Sequence, residues 1–281
     1  MTTSNFAHYP RVLSIAGSDS GGGAGIQADI KTISALGGFA MTAITAITAQ
    51  NTQGVQGIHA LPASFLKSQI QSVAEDIGVD AVKIGMLHTP EVVEVVAWAI
   101  DHYGWKNVIL DPVMVATSGD RLIDEETVKL LIEELFPKVL LITPNLDEAE
   151  VLLGRPIQKE SELIPAAQDL LNLGTPSALL KGGHLEGEWV VDVWASKGEP
   201  LVLKSKRIDS RNVHGTGCTL SSAIATFCAR GESLAAAIEL ARAYILKAIE
   251  HGAHVQTGDP KGQGHGPLNH GFAPLPMLIK T

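Results

Sequence analysis

Short apolar runs alternate with helical stripes through most of this chain, and that alternation limits the fold more than any other feature. Arg11 to Ala16 reads as a buried strand, and Ile26, Ile30, Ile33 and Leu36 form the stripe of a helix that Gly37-Gly38 end. Phe39 to Ala49 reads as a second strand, left by the polar loop Gln50 to Val55 before a short strand near Ile58. Helical spacing then covers 63–77, 90–103, about 124–136, 143–154 and about 161–173. Strands fall at Asp80 to Met86, Asn107 to Leu110, Val139 to Ile142 and Ala178 to Leu180. Val190 to Trp194 and Pro200 to Lys206 read as an antiparallel edge pair, and the last helix spans Ser233 to Gly252. Strands regularly interleaved with helices imply an α/β fold built on a mostly parallel sheet.

The chain has 281 residues, 45% of them hydrophobic, enough to bury a full core as one α/β domain over 11–281, with residues 1–10 as a loose arm. Its 21 Lys+Arg stand against 30 Asp+Glu, a net charge of -9, and no basic run follows a nucleic-acid backbone or an anionic membrane. A small soluble partner is expected. Cys218 and Cys228 are the only cysteines, and ten helical residues separate them by about 15 Å, too far to pair. Low cysteine use suits a reducing cytoplasm. No cationic segment leads into a long apolar stretch, so no signal peptide is read, and no run reaches membrane-spanning length.

Two glycine-rich loops carry the chemistry. In Asn212-Val213-His214-Gly215-Thr216-Gly217-Cys218-Thr219-Leu220 the glycines sit where a helix starts, with free N–H groups and the positive end of its dipole; the segment reads either as an anion cradle or as a packing turn. The earlier loop, Gly17 to Gly25, follows a strand and opens a helix, yet Gly23 stands where a Walker A lysine would, and the dinucleotide register is missing. It is either a tight turn or a backbone wall against a flat ligand. Gln50, at a strand end, is a candidate specificity amide, and Asp111 projects into the same crevice from another strand end. Glu148, in a first helical turn, either complements the dipole or orients hydrated Mg²⁺ together with Asp111. Lys181-Gly182-Gly183 at a strand end is a candidate phosphate clamp, and the small, polar loop 116–121 suits a mobile flap. His251/His254 and His265/His270 lack companion ligands, so a structural metal is not expected there.

Together, AGSDSGGGAGIQADIKT, TAQNTQGV, KIGML, DPVM, ITPNLDEA, LKGGH, HGTGCT and GHGPLNH resemble the hydroxymethylpyrimidine/phosphomethylpyrimidine kinases of thiamine biosynthesis, in the ribokinase-like superfamily, over residues 11–272. The resemblance implies a three-layer fold with helices on both faces of the sheet, ATP and Mg²⁺, a homodimer, and two successive phosphorylations of an aminopyrimidine alcohol. It further implies that Ala24, Gln50, Met86 and Val113 form the pyrimidine pocket. Asp111, Glu148 and Lys181 match the Mg²⁺ and ATP-phosphate positions; Gly215, Thr216, Gly217 and Cys218 match the anion hole and the residue facing the reacting hydroxymethyl group. Pyridoxal kinases share the Gly-Cys segment and are the close rival; a non-catalytic pyrimidine-binding regulator is the third reading.

Cys218 departs from the aspartate base that many sugar kinases of this superfamily place at the end of the glycine motif. A helix N-terminus lowers a thiol's pKa, so Cys218 is expected either to accept a proton in the first transfer or merely to line the pocket. The second nucleophile is already an anion and needs no base, which an aspartate would repel. Adenine contacts are expected from apolar positions near the 190–210 hairpin and the last helices.

Overall fold

A computed structural model describes residues 7–114, 123–258 and 264–280. The strands are β1 (Arg11–Ser18), β2 (Phe39–Asn51), β3 (Gly54–Ala60), β4 (Ala81–Ile84), β5 (Val108–Leu110), β6 (Leu141–Ile142), β7 (Ala178–Leu180), β8 (Trp189–Ala195) and β9 (Leu201–Lys206). They form one sheet in the order β3-β2-β1-β4-β5-β6-β7-β8-β9. The six strands from β2 to β7 run parallel, and antiparallel partners close both edges.

The alternation of side chains assigns the layers. Leu13, Ile15, Val82, Ile84, Val108, Leu110 and Ile142 join one apolar cluster, while Val12, Ala81, Ile109, Leu141 and Leu179 join the other. The first face is covered by α2 (Ala63–Asp76), α3 (Pro90–Tyr103), α4 (Glu125–Leu130), α5 (Leu146–Leu153) and α6 (Leu163–Leu171); the second by α1 (Gly25–Ala35), α7 (Thr216–Ala229) and α8 (Leu234–Gly252). A strand buried on both faces needs apolar residues at every position, which is why the parallel strands read as unbroken runs. Three layers with a mostly parallel centre is the expected architecture.

Several details differ from expectation. The polar run from Gln50 does not leave the sheet: β2 continues to Asn51 and turns into β3, with a register shift between Ala49 and Gln50. A bulge absorbs the extra residue and re-aims the side chains beside it, so polar residues stay in the ladder. Ile30 is exposed, because Asp29 takes the inward position on α1. That carboxylate, closed to solvent, accepts from Ser14 Oγ (2.6 Å), Lys83 Nζ (2.9 Å) and Ser222 Oγ (2.7 Å), tying β1, β4 and α7 to α1. The helix expected over 124–136 ends as a π-helical turn, Leu131–Leu135. His8 is bridged to Lys280 and the Pro10 carbonyl accepts from Phe39 N, so this part of the expected loose arm is tied down. The expected flap at 116–121 lies outside the described residues. No helix among the described residues is long and apolar enough to cross a membrane.

Candidate active site

The loops leaving the carboxyl ends of the parallel strands, together with the start of α7, enclose a cavity of about 990 Å³. Open α/β sheets collect ligands at this edge. Ala24, Gln50, Met86, Asp111, Val113, Glu148, Lys181, Gly215, Thr216, Gly217 and Cys218 all border it, although they come from seven separate stretches of chain.

The loop after β1 is organised by Asp19. Its Oδ1 accepts from Gly21 N (2.8 Å), its Oδ2 from Gly23 N (3.0 Å) and Ala24 N (2.8 Å), and His214 Nε2 lies 3.0 Å from Oδ2. Burial works to raise the Asp19 pKa, but the His214, Ala24 and Gly21 hydrogen bonds outweigh it and hold the carboxyl below its ordinary value. Gly25, at φ +54°, brings its Cα so close to the Gly17 carbonyl that a Cβ would lie 2.4 Å from that oxygen. The donors of this loop thus serve an internal carboxylate, and the loop is a wall.

The second loop is built differently. Gly215 caps α7 at φ 84°, and a Cβ on it would lie 1.9 Å from the Gly23 carbonyl oxygen, so the two loops touch through bare backbone. In the first turn of α7 the Gly217 and Cys218 amides precede any helical carbonyl they could bond. Opposite them, Asp111 Oδ1 accepts from Lys181 Nζ (2.8 Å) and Thr143 Oγ1 (3.0 Å). A Cβ on Gly217 would stand 3.1 Å from both Asp111 Oδ2 and Lys181 Nζ, which measures how closely the helix start faces this ion pair.

Glu148 takes the helix-start role expected of it. It completes a capping box on α5, with Oε2 accepting from Asn145 N (2.8 Å) while Asn145 Oδ1 accepts from Glu148 N (2.9 Å). Burial raises its pKa; Lys181 opposes the rise and Asp111 adds to it, leaving the group at about 7. Lys181 moves up instead, because Asp111 and Glu148 outweigh the cost of its burial. Two carboxylates sharing one lysine can take a further cation. No group of three or more His, Cys, Asp or Glu side chains gathers for a metal among the described residues, so the donor set fits Mg²⁺, which keeps waters and substrate oxygens, rather than a metal held in a protein cage.

At Cys218 the shift runs opposite to the lowering expected from a helix N-terminus. Burial pushes its thiol up to about 11, the nearby Lys83 ammonium pulls down, and Asp29 and Asp111 push up again. Cys218 is half-buried, and desolvation there works against the helix dipole, so the shift favours the neutral thiol.

Asp19, His214 and Lys83 also border the cavity and were assigned no role from the sequence. Asp19 had a usable signal, since an aspartate just ahead of a glycine run commonly accepts from the following amides. The GHGPLNH tail finds its purpose as a brace. The Gly266 carbonyl accepts from His214 N, and Asn269 N donates to the Ala248 carbonyl of α8. His270 pairs with Thr219 Oγ1 (2.9 Å), and burial lowers its pKa to about 4. Beyond Lys181 the cavity continues along Val190, Ile208, Val213, Leu220, Ile245 and Ile249.

A three-layer sheet with an ion-paired strand-end lysine facing a glycine-capped helix is the arrangement of a ribokinase-like small-molecule kinase. Solved structures agree. A pyridoxal kinase from Bacillus subtilis in an ADP complex superposes with a TM-score of 0.85 at 36% identity, covering 94% of this chain and 98% of that one. The phosphomethylpyrimidine kinase from Clostridium difficile gives 0.75 at 43% identity, covering 85% and 99%. This chain belongs to the phosphomethylpyrimidine kinase family, whose pattern it matches over residues 19–269. It is 47% identical to a hydroxymethylpyrimidine/phosphomethylpyrimidine kinase of Rhizobium meliloti, covering 92% of this chain and 96% of that protein. It is 48% identical to a thiamine biosynthesis bifunctional protein of Geobacter sulfurreducens, spanning 94% of this chain but 53% of that longer protein.

Proposed function

We infer that this protein phosphorylates 4-amino-5-hydroxymethyl-2-methylpyrimidine with ATP, and then phosphorylates the monophosphate to the diphosphate, for thiamine biosynthesis. The observation that carries the reading is one cavity bordered both by the Gln50 amide and by the Asp111–Lys181 pair with the start of α7. Ala24, Met86 and Val113 supply the apolar walls for a ring, and Gln50 its polar contact.

At the charged end, Lys181 and the Gly217 and Cys218 amides stabilise the negative charge on the transferring phosphoryl group, the main task of a protein in a loose phosphoryl transfer. Asp111 and Glu148 would hold Mg²⁺, Glu148 through water, and the ion supplies charge neutralisation on the phosphate oxygens when bound. Asp111 also keeps Lys181 extended toward the cradle. The Cys218 thiol, uncharged, leaves room for an alcohol in the first transfer and does not repel the phosphate oxygen of the second. The apolar stretch along Ile208, Val213, Leu220 and Ile245 is the natural seat for adenine. We extend the family resemblance to a homodimer working in the cytoplasm, the first checked by light scattering.

Pyridoxal kinase is the second reading, favoured by the TM-score of 0.85 to the Bacillus subtilis structure. The protein incubated with Mg-ATP and either the hydroxymethylpyrimidine or pyridoxal, with products weighed by mass spectrometry, separates the two. A pyrimidine diphosphate is expected; phosphorylated pyridoxal alone would overturn the assignment.

A further inference from the structure

Gln50 is held more firmly than a ligand-binding glutamine requires. Its backbone N–H donates to Ser20 Oγ (2.8 Å), whose hydroxyl donates to the Gln50 carbonyl (2.8 Å), and the bulge between Ala49 and Gln50 turns the side chain toward the cavity. Its amide end lies between two partners. Oε1 is 3.2 Å from Thr48 Oγ1, and Nε2 is 3.4 Å from His214 Nε2.

Proton accounting at those partners decides which way the amide is best held. Thr48 Oγ1 donates to the Ser18 carbonyl at 2.8 Å, and a carbonyl can only accept, so the single hydroxyl proton is spent there. Toward Gln50 the threonine oxygen is then an acceptor. His214 Nε2 lies 3.0 Å from Asp19 Oδ2, a carboxylate that also accepts from three backbone N–H groups, so this nitrogen directs its one proton to Asp19 and keeps no lone pair with which to accept from Gln50 at 3.4 Å. An acceptor on one side and, on the other, a nitrogen that cannot accept and presents the positive side of its N–H call for Nε2 against Thr48 and Oε1 against His214. In the orientation of the structure the Gln50 N–H group faces that nitrogen at 3.4 Å, and a half-turn of the amide relieves both conflicts.

We propose that the Asp19–His214 and Ser18–Thr48 pairs fix the polarity of the Gln50 amide, making His214 and Thr48 the residues that set which heterocycle the pocket accepts. Resting on the pyrimidine-kinase reading, this deepens it. With the oxygen on the His214 side and the N–H on the Thr48 side, the cavity faces a ligand with one acceptor and one donor in fixed order. A 4-aminopyrimidine offers the complementary exocyclic N–H and ring nitrogen. A 4-oxopyrimidine has the pair reversed, carbonyl oxygen and ring N–H, and meets oxygen against oxygen and N–H against N–H. His214 acts through Gln50 and is a positioning residue.

The experiment compares kcat and KM for 5-hydroxymethyl-2-methylpyrimidines bearing either the 4-amino or the 4-oxo group. The intact protein should prefer the amino compound by about 10³-fold or more in kcat/KM, since a reversed pair leaves buried polar groups unmatched. In His214→Phe, which lacks the donor, and independently in Thr48→Val, which lacks the acceptor, the amide can turn. The preference should drop by about tenfold or more in each, through KM, with kcat for the amino compound within about threefold of the parent. His214→Gln keeps an N–H for Asp19 and should recover much of the preference. A preference unchanged in both His214→Phe and Thr48→Val, or equal losses on both compounds through kcat, would overturn the proposal. An intact protein that phosphorylates neither compound would instead overturn the function it rests on, and this proposal with it.

Discussion

The two glycine-rich loops at the cavity look interchangeable in composition, each following extended chain and opening a helix, yet they do opposite things with their amides. Between Gly17 and Gly25, three N–H groups are consumed by the Asp19 carboxylate, so the loop carries its own anion and presents a rigid, neutral surface. At Gly215–Cys218 no carboxylate of the same loop takes the amides; Asp111, which faces Gly217, comes from another strand end and is bound to Lys181. One loop's amides are taken up by its own carboxylate; under the proposed function, those of the other serve a ligand's charge. A glycine-rich helix start is therefore an anion site only when the chain supplies no anion of its own.

Filling each loop with one methyl group is the strongest way to break that contrast. Gly217→Ala sets a carbon 3.1 Å from Asp111 Oδ2 and Lys181 Nζ, the ends of side chains that can shift, so the fold should survive while the cradle closes. We expect kcat for both phosphorylations to fall about 100-fold, equivalent to about 2.7 kcal/mol of lost transition-state stabilisation. Gly23→Ala instead pushes a carbon to 2.4 Å from His214 Cδ2 and should act mainly on KM for the heterocycle. Steady-state kinetics on both variants checks this; matching losses in kcat would erase the distinction between wall and cradle.

A smaller effect sharpens the contrast at Cys218. The thiol is neutral, so replacing it by aspartate introduces a charge at the point where the cradle meets substrate. The second transfer, whose nucleophile is a phosphate oxygen, should lose about tenfold more rate in Cys218→Asp than the first, whose nucleophile is an alcohol. Rates measured on each purified substrate decide it, and equal losses would show that Cys218 only fills space.

What the sequence carried and what it withheld follow from how far apart the interacting groups lie. The parallel core was legible because both-face burial writes itself as continuous apolar runs, and strand ends mark candidates such as Asp111 and Lys181 locally. The Asp19–His214 pair spans 195 positions, and nothing near either residue announces the other. Lys83 sits inside an apolar run, where periodicity gives no reason for a charge; only the fold reveals Asp29 as its partner on α1. The strand character of Gln50 was hidden by polar neighbours, because a bulge keeps in the sheet what composition assigns to a loop. The upward shift of the Cys218 thiol was hidden for a related reason: helix position is visible in sequence, whereas the desolvation that opposes it is not.

The cradle's unsatisfied state also has a pH signature, centred on Glu148. Its ordinary carboxyl value of 4.5 is lifted to about 7 by burial, with Lys181 opposing and Asp111 adding to the rise. A raised folded-state value favours the protonated form, so the stability contributed by this group is fully present below 4.5 and is lost as pH climbs through 7. Cation binding requires the carboxylate and reverses the preference. Binding of a Mg-nucleotide at pH 6 should therefore release close to one proton more in the parent protein than in Glu148→Gln, and affinity should weaken about fivefold between pH 7 and pH 6 in the parent alone. Titration calorimetry in buffers of different ionisation enthalpy measures both quantities. Equal proton release in the two proteins would mean that Glu148 only caps α5, and that the charged end of the cavity is completed by Asp111 and Lys181 without it.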